Sequence, residues 1–265
     1  MLKDITLGQY FPGDTPVHRL DPRTKILLLI VYIVALFEAK GWVGNGIMIA
    51  VTAGCMALSR ISPRNIFKGL KPMLFIIILT AALNLFYTEG TPVLPGWAIT
   101  WEGLDRSAKM ILRIVLLIAA TFLLTYTTSP MALTDGMERL LSPLKKIGLP
   151  IHELTMMMSM ALRFIPTLIE ETDKIMSAQK ARGADFENGS LFKRAKALIP
   201  ILVPLFVSSF RRADELAVAM ESRCYHGGGG RTRMKQLHFA GRDLWALLLG
   251  AALLAGTIVL RHYGL

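Results

Sequence analysis

The sequence predicts an all-α integral membrane protein. Hydrophobic residues make up 53% of its 265 residues and charged residues only 18%, against roughly 25% charged in soluble domains. Mean hydropathy is +0.47, and five apolar stretches approach the roughly 20 residues that a helix needs to cross a bilayer. This composition excludes an ordinary soluble domain and a disordered chain, and the two distant cysteines, Cys55 and Cys224, exclude a disulfide scaffold.

The five predicted spans divide the chain into three parts. They cover residues 26–37, 43–58, 72–87, 107–128 and 244–260. Residues 1–128 form a membrane domain with an N-terminal cytoplasmic segment and spans one to four, residues 129–242 a helical cytoplasmic domain, and residues 243–265 the last transmembrane helix. The first 23 residues are polar and contain three prolines. We therefore expect no cleavable signal peptide and a first helix that is retained.

The lysines and arginines predict how the chain is oriented. Four precede the first span and four lie between spans two and three, whereas 17 lie between spans four and five. The opposite side holds three, which are Lys40, Arg106 and Arg261. Because positive loops stay in the cytoplasm, the N-terminus is expected inside and the C-terminus outside. The net charge of +11 then needs no nucleic-acid partner.

Two long cytoplasmic helices are predicted, at residues 151–181 and 191–223. Their apolar runs, 156–169 and 197–210, are each about 14 residues, which is short for a span. Making both runs span the membrane would also place six cations on the outer face. At 1.5 Å per residue each helix is on the order of 45 Å long. We expect their apolar halves to pack on each other or on the membrane surface.

A shorter helix is expected before the two long ones. It begins near Thr134 or Asp135, and Gly148 with Pro150 stops it.

The sequence contains no recognisable catalytic or metal-binding motif. It has no phosphate-binding GxxxxGK[ST] loop and no GxSxG elbow, and its five histidines are scattered. Spans one to three and five carry no charged or histidine side chain, although a secondary transporter is expected to place one there. We therefore expect a non-enzymatic chain that binds no cofactor or metal itself.

Arg113 is the exceptional charge inside a span. It lies about six residues into predicted span four, where it could line a substrate path. Long cationic side chains near a helix end usually extend to the interface instead, and we favour that interpretation.

Both long helices end in an arginine between small residues. The first ends Ala181-Arg182-Gly183 and the second Ser222-Arg223-Cys224, with the two arginines 41 residues apart. A single arginine there could simply stabilise the helix dipole. Two matching ends, each with a neighbour that permits a close approach, favour a paired docking device.

These ends belong to a set of motifs that resembles the transmembrane T component (EcfT/CbiQ family) of prokaryotic energy-coupling factor (ECF) transporters. Further similar motifs lie along most of the chain, at residues 8–13, 18–25, 127–130, 162–166 and 221–225. One departure is Cys224, where the family more usually has glycine.

The resemblance implies a non-catalytic scaffold in the prokaryotic cell membrane, working in the uptake of vitamins or other micronutrients. It implies two ABC-type ATPase partners, which bind the ATP and Mg²⁺, and one or more membrane-embedded substrate-binding S components. Arg182 and Arg223 would each enter a groove on one ATPase. Arg163, Pro166, Pro200 and Pro204 would support the coupling helices, with the prolines marking kinks.

Two further groups have open interpretations. Met156, Met157, Met158 and Met160 form either an adaptable surface for exchangeable S components or ordinary core. The 18–25 segment is expected to anchor the protein at the inner interface, with Arg23 and Lys25 on lipid headgroups. Asp21 and Pro22 could also cap the first helix, a structural role that we favour.

Two other classes of function remain as alternatives. One is an autonomous channel or secondary transporter with a cytoplasmic regulatory segment. The other is a membrane-embedded enzyme, for which the sequence offers no catalytic constellation.

Overall fold

The computed structural model describes residues 10–92, 100–184, 186, 191–227 and 237–263. These residues form α-helices and 3₁₀ turns, with one isolated bridge between Pro92 and Thr100. The helices, in chain order from α1 to α9, are Pro22–Glu38, Trp42–Ser59, Pro63–Leu70, Leu74–Tyr87, Trp101–Thr127, Pro130–Leu141, Ile151–Ala181, Leu191–Glu221 and Gly241–His262, with 3₁₀ turns at Lys71–Met73 and Ser142–Ile147.

The chain forms two compact units. Of the described residues, those within 10–140 and 237–263 make the membrane unit, and those within 141–227 make the long-helix unit, which contains α7 and α8. In the described ranges four helical segments are long and apolar enough to cross a membrane: Trp42–Ser59, Pro63–Tyr87, Trp101–Thr127 and Gly241–His262. The first predicted span lies in α1, which has 17 residues. The all-α membrane architecture is confirmed, and the count of five spans and the sidedness of the termini stay predictions.

Two clusters of buried side chains hold the membrane unit together. Tyr32, Leu36, Met48 and Leu116 join α1, α2 and α5. The second cluster joins α3 and α4 to α5; it consists of Ile61, Ile66, Leu70, Ile77, Ala119 and Tyr126. Helix α9 packs along α1, where a β-carbon at Gly250 would lie 2.6 Å from a methyl group of Leu28. Interfaces between membrane helices favour small residues because these allow close packing.

Helix α5 begins six residues earlier than predicted. The Thr100 hydroxyl accepts a hydrogen bond from the backbone N–H of Gly103, at 3.1 Å, and so caps the helix at Trp101. Arg113 is therefore the 13th residue of α5. The expectation that it lies about six residues from the helix start was wrong.

The start predicted for the short helix was also wrong. Helix α6 begins at Pro130, where the Ser129 hydroxyl accepts a hydrogen bond from the N–H of Ala132. Thr134 lies inside the helix and donates to the carbonyl of Pro130, at 2.9 Å. Helix α6 ends at Leu141, earlier than predicted, and the 3₁₀ turn Ser142–Ile147 follows it. Gly148 ends that turn with φ 85°, and its N–H donates to the carbonyl of Lys145.

The basic segment before α1 forms internal contacts. Asp21 caps α1 by accepting from the N–H of Arg23, at 2.9 Å, which confirms the capping interpretation. The Arg23 guanidinium bonds Asp21 and the carbonyl of Leu237 and stacks 4.2 Å from the centre of the Phe239 ring.

Lys25 is buried as well. Its ammonium group donates to the carbonyls of His18 and Thr127 and to the Thr128 hydroxyl. The expectation that Arg23 and Lys25 face lipid headgroups was therefore wrong, because groups distant in sequence bind them.

Candidate docking site at the ends of the long helices

The C-terminal ends of α7 and α8 carry the same hydrogen-bonded cap. In α7 the N–H of Gly183 donates to the carbonyl of Lys180, at 3.0 Å, and the N–H of Ala184 to that of Gln179, also at 3.0 Å. In α8, Cys224 donates to Glu221 at 2.8 Å and Tyr225 to Met220 at 3.1 Å. Each of these two hydrogen bonds in α8 lies 41 residues after its counterpart in α7. Both helices therefore end in a Schellman motif, at equivalent positions.

In both caps the arginine is the last residue before the chain turns. Arg182 and Arg223 are exposed, as are their neighbours Ala181 and Ser222. The next residue takes the left-handed conformation, with φ 86° at Gly183 and φ 55° at Cys224. That conformation suits glycine and costs other residues roughly 1–2 kcal/mol. The structure therefore retains the second cap although cysteine replaces the usual glycine.

An ion pair joins the two long helices. The carboxylate of Glu171 accepts from the Arg212 guanidinium at 3.0 Å and from the Ser208 hydroxyl. The same guanidinium lies 5.7 Å from the centre of the Phe164 ring. Beside this contact, α7 and α8 enclose an apolar cleft of about 260 Å³, lined among others by Leu168, Leu216 and Met220.

The environment of Glu171 keeps it ionised. The Ser208 hydroxyl, and then the Arg212 guanidinium, lower the pKa of the Glu171 carboxyl below its usual value. Both side chains of the ion pair are partly exposed, 24% for Glu171 and 29% for Arg212. The pair is therefore screened by solvent and acts mainly to fix which parts of α7 and α8 meet.

The other predicted site residues lie along the bodies of the long helices. Arg163 and Pro166 are exposed on α7, and Pro200 and Pro204 are exposed on α8, which continues through both prolines. Met157 and Met158 are exposed, and Met156 and Met160 are half-buried. Within the described residues, none of these side chains hydrogen-bonds or pairs with Arg182 or Arg223. Sequence reasoning missed Glu171, Ser208 and Arg212, although the opposite charges of Glu171 and Arg212 on neighbouring helices were a readable signal.

Arg113 takes part in a separate contact in the membrane unit. Its guanidinium lies 5.1 Å from the centre of the Phe37 ring, near the C-terminal end of α1. Its Nε atom is buried and has no hydrogen-bond partner in the described part of the chain.

Fold and site together define a multi-span α-helical membrane protein that presents two matched, arginine-tipped helices. Comparison with known proteins identifies the particular family. A family model described as "Cobalt transport protein" (CbiQ) matches residues 13–235. A curated relative from Clostridium kluyveri, "Energy-coupling factor transporter transmembrane protein EcfT", is 55% identical over 98% of both chains. Proteins of the same name are similar at 56% identity over 92% of both chains in Heliobacterium modesticaldum, and at 46% over 98% of this chain and 97% of the relative in Lactococcus lactis.

The chain therefore belongs to the CbiQ/EcfT family of transmembrane components of energy-coupling factor transporters.

Proposed function

We propose that this chain is the coupling subunit of an ECF-type importer in the prokaryotic cell membrane. In this role it carries two ABC-type ATPases on Arg182 and Arg223 and holds a membrane-embedded S component that binds the vitamin or other micronutrient. The ATPases bind and hydrolyse ATP with Mg²⁺, and this chain contributes no catalytic group. The observation that carries the proposal is the identical cap, in identical register, at the exposed ends of α7 and α8.

The chemistry of the two caps suits docking into a protein groove. A guanidinium offers five N–H donors in a planar fork, so it can satisfy carboxylates and backbone carbonyls together, whereas lysine supplies a point charge. Because each arginine lies at the end of its helix, it moves together with that helix. Two such ends on one chain suit two ATPase copies.

The contact between α7 and α8 suits the transmission of movement. The Glu171–Arg212 ion pair and the Phe164 stacking fix one point of contact between the helices. A helix pair fixed in this way can move as a rigid lever when the two ATPases approach each other. Pro166, Pro200 and Pro204 would set the shape of the lever, since proline removes a helix hydrogen bond.

Exposed methionines on α7 suit an S component. Met157 and Met158 are 56% and 47% exposed, and unbranched thioether side chains repack readily against different partners. We propose that this surface contacts the S component and serves several S components in turn.

A pull-down of the tagged chain from its native membrane tests the ATPase docking. Wild type is expected to bring two ABC ATPases and small membrane proteins, identified by mass spectrometry. The double variant Arg182→Glu/Arg223→Glu should lose the ATPases and abolish uptake. Lys196→Glu/Arg211→Glu makes the same charge change at exposed positions of α8 and should retain both.

Two results would overturn the proposal. One is undiminished ATPase binding and uptake by the Arg182→Glu/Arg223→Glu variant. The other is transport by the purified chain alone in vesicles, which would favour an autonomous channel or carrier.

A further inference from the structure

Helix α3 and the first residue of the 3₁₀ turn after it carry a basic and aromatic face, called here the α3 basic face, which consists of Arg64, Phe67, Lys68 and Lys71. These residues follow one another at i, i+3, i+4 and i+7, which places them on one side of a helix. All four are exposed, and the Phe67 side chain is 70% exposed. In the described part of the chain nothing covers this α3 basic face.

The opposite side of α3 fixes the direction of that face. Ile66 and Leu70 are 5% and 6% exposed and pack into the second hydrophobic cluster. Between them, Gly69 lies so close to α5 that a β-carbon would sit 2.3 Å from the Phe122 ring. The Tyr126 hydroxyl also donates to the backbone carbonyl of Asn65, at 3.3 Å. Helix α3 cannot rotate without losing these contacts, so its basic face points outward.

The charge around this face has one sign. Four cations lie between residues 60 and 88, which are Arg60, Arg64, Lys68 and Lys71, and no acidic residue lies there. Within the described residues none of the four forms an ion pair. Arg23 and Lys25, by contrast, are bound by Asp21 and by backbone carbonyls. The positive charge of the α3 basic face is thus available to a ligand.

The face is continuous with a membrane-spanning segment. Helix α3 passes through the turn Lys71–Met73 into α4, and Pro63–Tyr87 together is long and apolar enough to cross the bilayer. One turn beyond Lys71, Phe75 is 74% exposed, and Ile78 is 64% exposed. The α3 basic face therefore borders the hydrocarbon region, at the depth where lipid phosphates lie.

We propose that the α3 basic face binds anionic phospholipid at the membrane interface. Arg64, Lys68 and Lys71 pair with headgroup phosphates, and Phe67 inserts its ring at the boundary with the acyl chains. The contact anchors α3, and α5 beneath it, at a fixed depth. It requires neither ATPases nor an S component, so it is independent of the proposed coupling function.

Native mass spectrometry of the purified full chain tests the lipid preference. The chain is released from bilayers that contain phosphatidylcholine and phosphatidylglycerol in equal amounts, and the retained lipids are counted. Wild type is expected to retain phosphatidylglycerol preferentially. Because one cation near an anionic surface contributes about a fivefold preference, Lys68→Gln should lower the preference by about fivefold, and Arg64→Gln/Lys68→Gln/Lys71→Gln should remove most of it.

The matched control is Lys174→Gln/Lys196→Gln/Arg211→Gln, which removes the same charge from exposed positions of α7 and α8. It should retain the wild-type preference. Equal retention of the two lipids by wild type would overturn the proposal, as would an equal loss in the control and the α3 variant.

A spin label at position 67 tests the insertion without changing any charge. The label is attached to Phe67→Cys in a Cys55→Ser/Cys224→Ser background, with the chain in bilayers of the same composition. We expect collisions with oxygen, which partitions into lipid, and few with a water-soluble nickel chelate. The reverse pattern would place the face in water. Few collisions with either probe would show that protein covers the face, and either result would overturn the proposal.

Discussion

Glu171 and Arg212, which form the ion pair between α7 and α8, each lie 11 residues before the arginine that ends their own helix. At 1.5 Å per residue, Arg182 and Arg223 therefore each stand about 16 Å along the helix from this contact. Glu171 in α7 and Arg212 in α8 therefore occupy equivalent positions relative to the caps of their helices. Arg182 and Arg223 thus stand at the same distance along their helices from one shared contact.

The ion pair should contribute a measurable coupling free energy. In a double-mutant cycle with Glu171→Gln and Arg212→Gln, we expect a coupling of about 0.5–1 kcal/mol, because both side chains are partly exposed. Thermal unfolding of the purified chain in detergent measures it. The reversed pair Glu171→Arg/Arg212→Glu should regain part of the stability that either reversal loses alone. Strict additivity of the two Gln variants would contradict the prediction.

This coupling should depend on pH in one direction. The Ser208 hydroxyl and the Arg212 guanidinium lower the pKa of Glu171 in the folded chain. Its contribution is therefore fully present above the ordinary glutamate pKa of about 4.3 and is lost as the pH falls through the lower folded value. The Glu171–Arg212 coupling should be constant from neutral pH to about pH 5 and should decline at more acidic pH. If the coupling free energy already falls between pH 7 and pH 5, its pH dependence comes from a group other than Glu171.

Local sequence patterns predicted much of the fold and the matched ends of α7 and α8. The bounds of α7 are those expected, because Pro150 directly precedes its first residue and Gly183 follows its last turn, and both are helix boundary signals. The arginine-tipped ends were readable for the same reason. The start of α5 was missed because residues 102–106 are mostly polar, although Thr100 caps the helix six residues before the predicted start.

Contacts between distant residues could not be predicted in this way. The expectation for Lys25 failed because its partner, the carbonyl of Thr127, lies 102 residues away in sequence. Glu171 and Arg212 were likewise visible as charges, but their pairing depends on which sides of α7 and α8 meet. The pattern of residues in a single sequence predicts which side of a helix is apolar or charged. It does not predict which other helix that side contacts.

The two helix caps should respond oppositely to substitution. Cys224 holds φ 55° with a side chain that disfavours it. Cys224→Gly should therefore stabilise the chain by up to about 1 kcal/mol. Cys224→Ala keeps the strain and serves as the control. Thermal unfolding measures both, and a Cys224→Gly variant that is no more stable than Cys224→Ala would contradict the prediction.

At Gly183 the same argument predicts a loss. A β-carbon there would meet nothing within 4 Å, so the cost of Gly183→Ala comes from its φ of 86° alone, about 1 kcal/mol. Gly183→Asn should cost less, because asparagine tolerates the left-handed region. Unfolding temperatures of the three proteins test this order, and equal stability of the alanine and asparagine variants would contradict it.

Substitution of Asp243 should destabilise the membrane unit more than substitution of most of its other polar residues. It is 1% exposed, and its two carboxylate oxygens accept from the N–H groups of Asp21 and Ala240, each at 2.8 Å. In Asp243→Asn an NH₂ group faces one of these donors, which should cost roughly 2–3 kcal/mol. Asp14→Asn, at a side chain that is 91% exposed, is the control and should change little. Near-wild-type unfolding of Asp243→Asn would show that the α1–α9 junction does not depend on these bonds.

The substitution Gly69→Ala distinguishes helix propensity from packing. Helix propensity predicts that it stabilises the chain, whereas packing predicts that it destabilises the chain. Alanine is favoured over glycine by about 1 kcal/mol within a helix. At Gly69, however, the new β-carbon would lie 2.3 Å from the Phe122 ring, which is itself stacked on Tyr126 at a ring distance of 5.5 Å. We expect overpacking to prevail and Gly69→Ala to lose about 1–3 kcal/mol in thermal unfolding.

Two further variants serve as controls for Gly69→Ala. Phe122→Leu should partly rescue it by making room, whereas Gly46→Ala, where a β-carbon meets nothing within 4 Å, should be neutral or stabilising. If Gly69→Ala is as stable as Gly46→Ala, the close approach of α3 to α5 does not exist in solution. The fixed direction of the α3 basic face would then lose its main support.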